Sequence, residues 1–245
     1  MIEYIILGAL QGIFEWIPIS SQGIVALVSQ FFVEEFNPVE LALFLHLGTL
    51  LAAFIYFWKD WKEILMFRNI KLLRFLLIST IISLAIGFPL FKIAKDMAFG
   101  YALLIMMGFG LLLTAYFNKK NLTFNIKFDK LAIIAGFLQG LSVIPGVSRS
   151  GSTIFGLSLG KIEPAEILKI SYLMSVPIVF ASTIYLFLRN PDLALQSWPG
   201  LISSFFIGIL SLDFLLKISR RINFFNFLLI FAFLCFLGAI LEILI

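Results

Sequence analysis

Arg149 lies in a short polar stretch of a chain that is otherwise almost continuously apolar. An arginine at bilayer depth costs about 2.5–3.5 kcal/mol, so the fold must bring it an anionic partner or an aqueous cavity. Pro145 and Gly146 interrupt the apolar segment before it. Four hydroxyl residues follow where the next helix would start: Ser148, Ser150, Ser152 and Thr153. A helix start, a guanidinium and several hydroxyls together indicate a phosphate site, with a polar kink between packed helices as the alternative.

The composition places this stretch inside a membrane protein. Of the 245 residues, 61% are hydrophobic and 13% are charged, which is more apolar sequence than a soluble domain of this size needs. The net charge of +4 lies in short loops and predicts membrane orientation, not nucleic-acid binding. The first apolar segment lacks a basic start and a small-residue cleavage site, so we expect no removable signal peptide. The single cysteine, Cys235, offers neither a disulfide nor a metal cluster.

Interruptions of the apolar sequence predict two kinds of helix. Segments of about 15 residues rise only ~22 Å, which is short of the ~30 Å hydrocarbon core. Two pairs of such segments flank polar tips and are predicted to form re-entrant hairpins: 2–16 with 24–33, and 131–144 with 151–160. Six longer segments are predicted to cross the bilayer: 38–58, 72–91, 98–117, 166–188, 199–217 and 223–244.

The two halves of the chain resemble each other. The pattern Gly-x-x-Gln-Gly occurs at 8–12 and again at 136–140. In both copies a glycine lies twelve residues after the glutamine, and a serine lies three residues before that glycine. We therefore predict an all-α integral membrane protein with a single domain over 1–245. Its two repeats, about 1–117 and 131–245, each consist of a re-entrant hairpin followed by three transmembrane helices.

Basic residues predict which side of the membrane each loop faces. The following are expected on the cytoplasmic side: Lys59, Lys62, Arg68, Lys71, Arg74, Lys119, Lys120, Lys127, Lys130, Lys217, Arg220 and Arg221. The loops at 92–97 and 189–198 are then external. Counting spans, the first hairpin enters from outside and the second from inside, so the repeats are predicted to be inverted, with their tips meeting near the midplane. Secondary transporters share this plan, so a transporter or flippase of a lipid-linked or anionic solute is the alternative function.

The first tip carries a carboxylate that also needs a partner at membrane depth. Gln11 and Glu15 are spaced i, i+4 and project from one helix face toward the tip. Ser20 and Ser21 begin the next half-helix, where N-capping by one of them is the alternative to catalysis. Glu15 is predicted to hold a divalent cation, Mg²⁺ or Ca²⁺, or to act as a general base, while Arg149 neutralises developing charge. Simple neutralisation of Arg149 by Glu15 is the alternative.

Both tips carry extended motifs. Residues 11–23 read QGIFEWIPISSQG, and residues 145–153 read PGVSRSGST. These stretches resemble the (E/Q)-x-x-x-E, P-x-S-S-x-G and P-G-x-S-R-S-G-x-T motifs of the undecaprenyl-diphosphatase (bacitracin-resistance) family, and LHLGTL at 45–50 resembles a common segment of it. The resemblance runs the length of the chain. It implies a cell-membrane enzyme that removes the terminal phosphate from a polyprenyl diphosphate at a site open to the outer face, and it implies a homodimer.

By motif, the resemblance implies two groups of site residues: Glu15, Ser21 and Arg149 as catalytic, and Gln11, Ser20, Ser148 and Thr153 as substrate-binding. Ser150, a hydroxyl of the same tip, is also predicted to bind substrate. The family usually has histidine directly after the Ser-Ser-x-Gly glycine, where this chain has Ile24. A mechanism that uses this histidine cannot operate here, so Ser21 is the predicted nucleophile unless a metal-activated water attacks directly. The only histidine, His46, is predicted to be satisfied within its own helix and not catalytic.

Overall fold

The fold is described by a computed structural model, which covers residues 1–33, 35–93, 100–119, 126–144, 147–160 and 162–244. Every regular element within these residues is an α-helix. In chain order the helices are α1 Ile2–Phe14, α2 Ser21–Ser29, α3 Pro38–Tyr56, α4 Trp58–Leu65, α5 Ile70–Ile93, α6 Gly100–Lys119, α7 Phe128–Leu141, α8 Arg149–Ser158, α9 Pro164–Arg189, α10 Pro191–Ser219 and α11 Phe224–Leu244.

Five helices in the described part of the chain are long and apolar enough to cross a membrane: Pro38–Tyr56, Ile70–Leu90, Pro164–Leu188, Pro191–Ser219 and Phe224–Leu241. The chain is therefore an all-helical, multi-pass membrane protein. The span predicted at 98–117 corresponds to α6, a helix of 20 residues. The four short helices predicted at the two tips correspond to α1, α2, α7 and α8.

One predicted loop, at 189–198, is wrong. α9 ends at Arg189 and α10 begins at Pro191, so only Asn190 separates the two helices. Proline suits the first turn of a helix, because the N–H that it lacks would have no partner there. Pro199, where we expected the span to begin, lies inside α10. The other predicted external loop, 92–97, is described only in part, because 94–99 lie outside the described residues. The same holds for the basic segment from Lys119 to Lys130, of which 120–125 lie outside them.

The first short helix, α1, packs along α10 at very close range. A Cβ atom at Gly8 would overlap the carbonyl oxygen of Gly200, and one at Gly12 would lie 2.8 Å from the backbone nitrogen of Gly208. Residue numbers increase together along both helices, so α1 runs parallel to α10. The helices can approach this closely only because the contact positions lack side chains.

The short helix of the second half, α7, packs along α5 in the same manner. A Cβ atom at Gly136 would lie 2.7 Å from the carbonyl oxygen of Ser79, and one at Gly140 would lie 3.1 Å from that of Ser83. The Ser83 hydroxyl donates to the Gly136 carbonyl at 2.9 Å, which holds the two backbones together. Residue numbers again increase together, so α7 runs parallel to α5.

Substitution of Gly8 by alanine should destabilise the protein by about 1–3 kcal/mol, because the new methyl group overlaps a backbone oxygen that cannot rotate away. The midpoint of thermal unfolding in detergent measures this effect. Gly208→Ala is the matched control, since a Cβ there first meets a side-chain atom, Cγ2 of Thr49 at 3.2 Å, and not a backbone oxygen. Equal stabilities of the two variants would show that the close α1–α10 contact does not support the fold.

Polar contacts tie helix ends together on two faces of the bundle. Three lie on one face: Tyr56 Oη to Asp213 Oδ1 at 2.8 Å, Lys169 Nζ to Asp60 Oδ1 at 3.1 Å, and Arg74 Nη2 to Asp129 Oδ2 at 2.8 Å. At the opposite face, Asn190 Nδ2 donates to Glu40 Oε2 at 3.3 Å. The ends of α3 and α10 and the starts of α5, α7 and α9 therefore share one face, and the start of α10 lies on the other.

Candidate active site

The tip of the first hairpin is formed where α1 ends and α2 begins. Gln11 and Glu15 lie on one face, as their spacing predicts, and Gln11 Nε2 donates to Glu15 Oε2 at 2.7 Å. The indole of Trp16 anchors the tip by donating to the Gly208 carbonyl at 3.0 Å. Tyr172 donates to the Trp16 carbonyl at 2.8 Å and packs edge-on against its ring. The carboxylate is thus presented by a backbone that is held from two other helices.

The two serines of this tip have different partners. Ser20 Oγ accepts from the N–H of Gly23 at 3.2 Å, so Ser20 is the cap of α2. That cap starts α2 at Ser21, three residues before the predicted segment. Ser21 Oγ instead donates to Glu15 Oε2 at 3.1 Å. The capping alternative therefore describes Ser20, and Ser21 has the contact that a nucleophile makes with its base.

The second tip starts α8 in an equivalent way. Ser148 Oγ accepts from the N–H of Gly151 at 3.2 Å and caps the helix. Ser150 Oγ lies 3.1 Å from Ser148 Oγ and donates to the carbonyl of Ile17 at 2.8 Å, which links the second tip to the first. The predicted helix interruption at Pro145 and Gly146 lies outside the described residues.

Arg149 joins the two tips through an ion pair. Its Nη2 donates to Glu15 Oε1 at 2.5 Å, and the exposed fractions of the two side chains are 15% and 4%. Its Nη1 donates to the backbone carbonyl of Ser171 on α9 at 3.1 Å. Arg149 and Glu15 therefore neutralise each other, which meets the need of a buried charge for a partner of opposite sign. Within the described part of the chain, these contacts engage two of the five N–H donors of the guanidinium.

Thr153 supports Arg149 from behind. Its hydroxyl is fully buried, donates to the Arg149 carbonyl at 3.0 Å and lies 2.6 Å from Ser171 Oγ. Ser171 therefore contacts Arg149 directly through its carbonyl and indirectly through Thr153. Neither the sequence pattern nor the motifs indicated Ser171, because a backbone carbonyl carries no sequence signature. The substrate-binding assignment of Thr153 stays a prediction. The observed contacts of Thr153 hold the backbone of Arg149 against α9.

His46 reaches the site from α3. Its Nε2 lies 3.1 Å from Glu15 Oε2, and its Nδ1 lies 2.7 Å from the carbonyl oxygen of Ala42. We expected His46 to bond only within its own helix. Nδ1 does so, whereas Nε2 contacts Glu15 outside that helix. The available signal was that the chain's only histidine lies at membrane depth, where an ionisable group marks a functional site by default.

These side chains surround a cleft between the two tips. Glu15, His46 and Arg149 line it together with the hydroxyl residues Ser20, Ser21, Ser142, Ser148 and Ser150. Gln11 is fully buried beneath Glu15, as Thr153 is beneath Arg149. The starts of α2 and α8 both border the cleft, so two helix N-termini add their positive ends to Arg149. The cleft has the chemistry of a phosphate site with a carboxylate beside a hydroxyl.

The side chains of the cleft do not by themselves fit a divalent cation held by the protein. No group of three His, Cys, Asp or Glu residues with metal-site spacing occurs in the described part of the chain. Glu15 is the one carboxylate lining the cleft, and Gln11, Ser21, His46 and Arg149 already contact its two oxygens. Mg²⁺ and Ca²⁺ need several oxygen ligands, which this arrangement does not offer.

Comparison with known proteins agrees with the motifs. The family model described as bacitracin resistance protein BacA matches residues 4–241. The undecaprenyl-diphosphatase of Methanococcoides burtonii is 33% identical over 244 residues, which cover 91% of this chain and 92% of the relative. The undecaprenyl-diphosphatase of Thermosipho africanus is 35% identical, and the alignment covers 98% of this chain and 98% of the relative. That of Haloarcula marismortui is 32% identical, with 97% of this chain and 96% of the relative covered. With a family match over nearly its whole length and relatives above 30% identity, the chain belongs to the bacitracin resistance protein BacA family.

Proposed function

We propose that this protein is a polyprenyl-diphosphate phosphatase, which hydrolyses an undecaprenyl-type lipid diphosphate to the monophosphate and inorganic phosphate. One arrangement carries the proposal: Ser21 Oγ donates to Glu15 Oε2 at 3.1 Å while the other carboxylate oxygen pairs with Arg149. The Ser21 hydroxyl and its base Glu15 therefore lie beside the Arg149 guanidinium, in a cleft that is bordered by the N-termini of α2 and α8. The names of the relatives support the same reaction and do not favour the transporter alternative.

The residues of the cleft suggest how the reaction proceeds. Arg149 and the two helix N-termini bind the terminal phosphate and neutralise charge as it develops. Ser21 Oγ attacks the terminal phosphorus, and its proton passes to Glu15. The bond from phosphorus to the bridging oxygen breaks, and the lipid monophosphate leaves with that oxygen and the proton. Water then hydrolyses the phosphoserine, releasing phosphate and restoring the hydroxyl. Direct attack by water, with Ser21 as a phosphate contact, is the alternative.

Dependence on Mg²⁺ or Ca²⁺ is proposed with the cation carried by the substrate. The diphosphate oxygens supply hard ligands that the protein's side chains do not, and Mg²⁺ commonly binds enzymes through substrate phosphates. Phosphate release from a long-chain polyprenyl diphosphate by the purified protein in detergent, with and without divalent cation, tests both the reaction and this requirement. Release that is undiminished by a chelator would contradict the cation proposal alone, whereas absence of release in every condition would contradict the phosphatase.

We propose that the single membrane domain consists of two inverted repeats with re-entrant hairpins. The direction of the short helices supports this arrangement. α7 runs parallel to α5, which starts on the face that carries the Arg74–Asp129 contact, whereas α1 runs parallel to α10, which starts on the opposite face. Hairpins that enter from opposite faces and meet at Glu15 and Arg149 fit the plan of inverted repeats.

We propose a cell-membrane location, and the basic residues support a defined orientation in that membrane. Lys59, Lys62, Arg74 and Lys217 all lie near the face of the three end contacts, which is the cytoplasmic side by the positive-inside rule. The resemblance further suggests a site open to the outer face and a homodimer. Cross-linking of the protein in native membranes, followed by gel electrophoresis, tests the dimer, and exclusive recovery of the monomer would contradict it.

Replacement of Glu15 by glutamine keeps the volume but removes the charge. If Glu15 receives the proton from Ser21, turnover should fall by at least ~10²-fold. The protein should also become less stable by about 3 kcal/mol, because Arg149 loses its carboxylate in a buried setting. Phosphate release and the thermal unfolding midpoint measure the two effects on one preparation. Glu166→Gln, at a half-exposed ion pair with Lys169, is the control that should change neither. An unstable but fully active Glu15 variant would leave Glu15 only as a counter-ion.

A further inference from the structure

His46 is placed between a fixed acceptor and the carboxylate of the site. A backbone carbonyl can only accept a hydrogen bond, so the contact with Ala42 requires a proton on Nδ1. A second proton is then needed between Nε2 and Glu15 Oε2, which are 3.1 Å apart. The helix carbonyl therefore sets the ring orientation and directs Nε2 at Glu15.

The contact holds the carboxylate from outside its own hairpin. Gln11 and Ser21 also contact Glu15 Oε2, but both belong to the same hairpin as Glu15. Arg149 contacts the other oxygen from the second tip. Among the described contacts, His46 is the one that fixes Oε2 to the surrounding helix bundle. Loss of this contact would leave the carboxylate free to rotate away from the Ser21 hydroxyl without removing either residue.

We propose that His46 is a positioning residue for Glu15, holding Oε2 in line with the Ser21 hydroxyl; this inference rests on the proposed phosphatase function. The chain has Ile24 where the resembled family has histidine, so His46 is its one imidazole. The N–H at Nε2 holds the carboxylate. Another side chain that places an N–H at the same distance from the α3 backbone should therefore be able to replace His46.

Two amide substitutions of His46 test whether the position of the N–H group decides the activity. Glutamine can place its amide nitrogen near the position of Nε2, whereas asparagine is one methylene shorter and falls near Nδ1. We expect His46→Gln to keep kcat within about threefold of the unsubstituted protein. We expect His46→Asn to lose about 10- to 100-fold in kcat with KM unchanged, since small misplacements of catalytic groups have effects of this size. Thr49→Val, one turn along α3, is the control for perturbation of that helix.

A spectroscopic measurement tests the contact without any activity. Because the chain has one histidine, protein labelled with nitrogen-15 histidine gives one pair of ring nitrogen signals in detergent. The Nε2 signal should move in Glu15→Gln, while the Nδ1 signal should stay that of a donor to a carbonyl. An unmoved Nε2 signal would overturn the proposal, as would equal kcat values for the glutamine and asparagine variants, whether high or low. Wild-type protein without phosphatase activity would overturn the proposed function, and the nitrogen signals would then decide separately whether His46 holds Glu15.

Discussion

Replacement of Arg149 by lysine should remove most of the phosphatase turnover although the positive charge stays. The guanidinium donates to Glu15 and to the Ser171 carbonyl at once, and among the described residues no other partner takes its remaining N–H groups. An ammonium is a single point charge, which cannot bridge these partners and also present a planar fork to phosphate oxygens. Loss of a preorganised donor to a developing charge typically lowers kcat by about 10²–10³-fold, and we expect a loss in that range.

Turnover of Arg149→Lys should be measured on protein that elutes as a folded species in detergent. Arg74→Lys is the matched control, because it makes the same substitution in a half-exposed ion pair with Asp129, where the effect on turnover should be negligible. Near-normal turnover of Arg149→Lys would reduce Arg149 to the counter-ion of Glu15. In that case the phosphate would have to be bound by the helix N-termini alone, and the proposed site would be wrong in its main contact.

Much of this fold could be predicted because it depends on local sequence. The length of an apolar run decides whether a helix can span the membrane, and the polar tips at 15–23 and 145–153 mark where the short helices end. The alignment of Gln11 with Glu15 also follows from i, i+4 spacing within one helix. These features need no knowledge of how the helices pack.

The remainder of the site arises from tertiary packing, which the local pattern does not contain. His46 and Ser171 reach Glu15 and Arg149 only because α3 and α9 lie against the two tips. The different contacts of Ser20 and Ser21 depend on which residue caps α2, and two adjacent serines suit that position equally by sequence. The predicted loop at 189–198 failed for a similar reason. Prolines 191 and 199 both suit a helix start, and only the packed structure shows which one α10 uses.

Substitution of Ser21 by alanine should abolish phosphate release while the lipid diphosphate still binds. The Ser21 hydroxyl donates to Glu15 and lines the cleft, so it is placed to act on the phosphoryl group in the transition state. Arg149 and the helix N-termini remain in the variant, so the ground-state affinity for the diphosphate should change little. An interaction needed only in the transition state lowers kcat without raising KM, which is the expected pattern here.

The adjacent Ser20→Ala provides the matched control for this prediction, because it removes the same hydroxyl one residue away. Ser20 caps α2 and is also predicted to contact the substrate, so its loss should cost about 0.5–2 kcal/mol of stability and should lower kcat far less than Ser21→Ala does. Substrate affinity, phosphate release and unfolding midpoint should be measured on both variants in parallel. If Ser21→Ala instead loses binding and release in the same modest proportion, the hydroxyl is only one of several substrate contacts. That result would favour direct attack by water over a phosphoserine, because a nucleophile cannot be removed at so small a loss of rate.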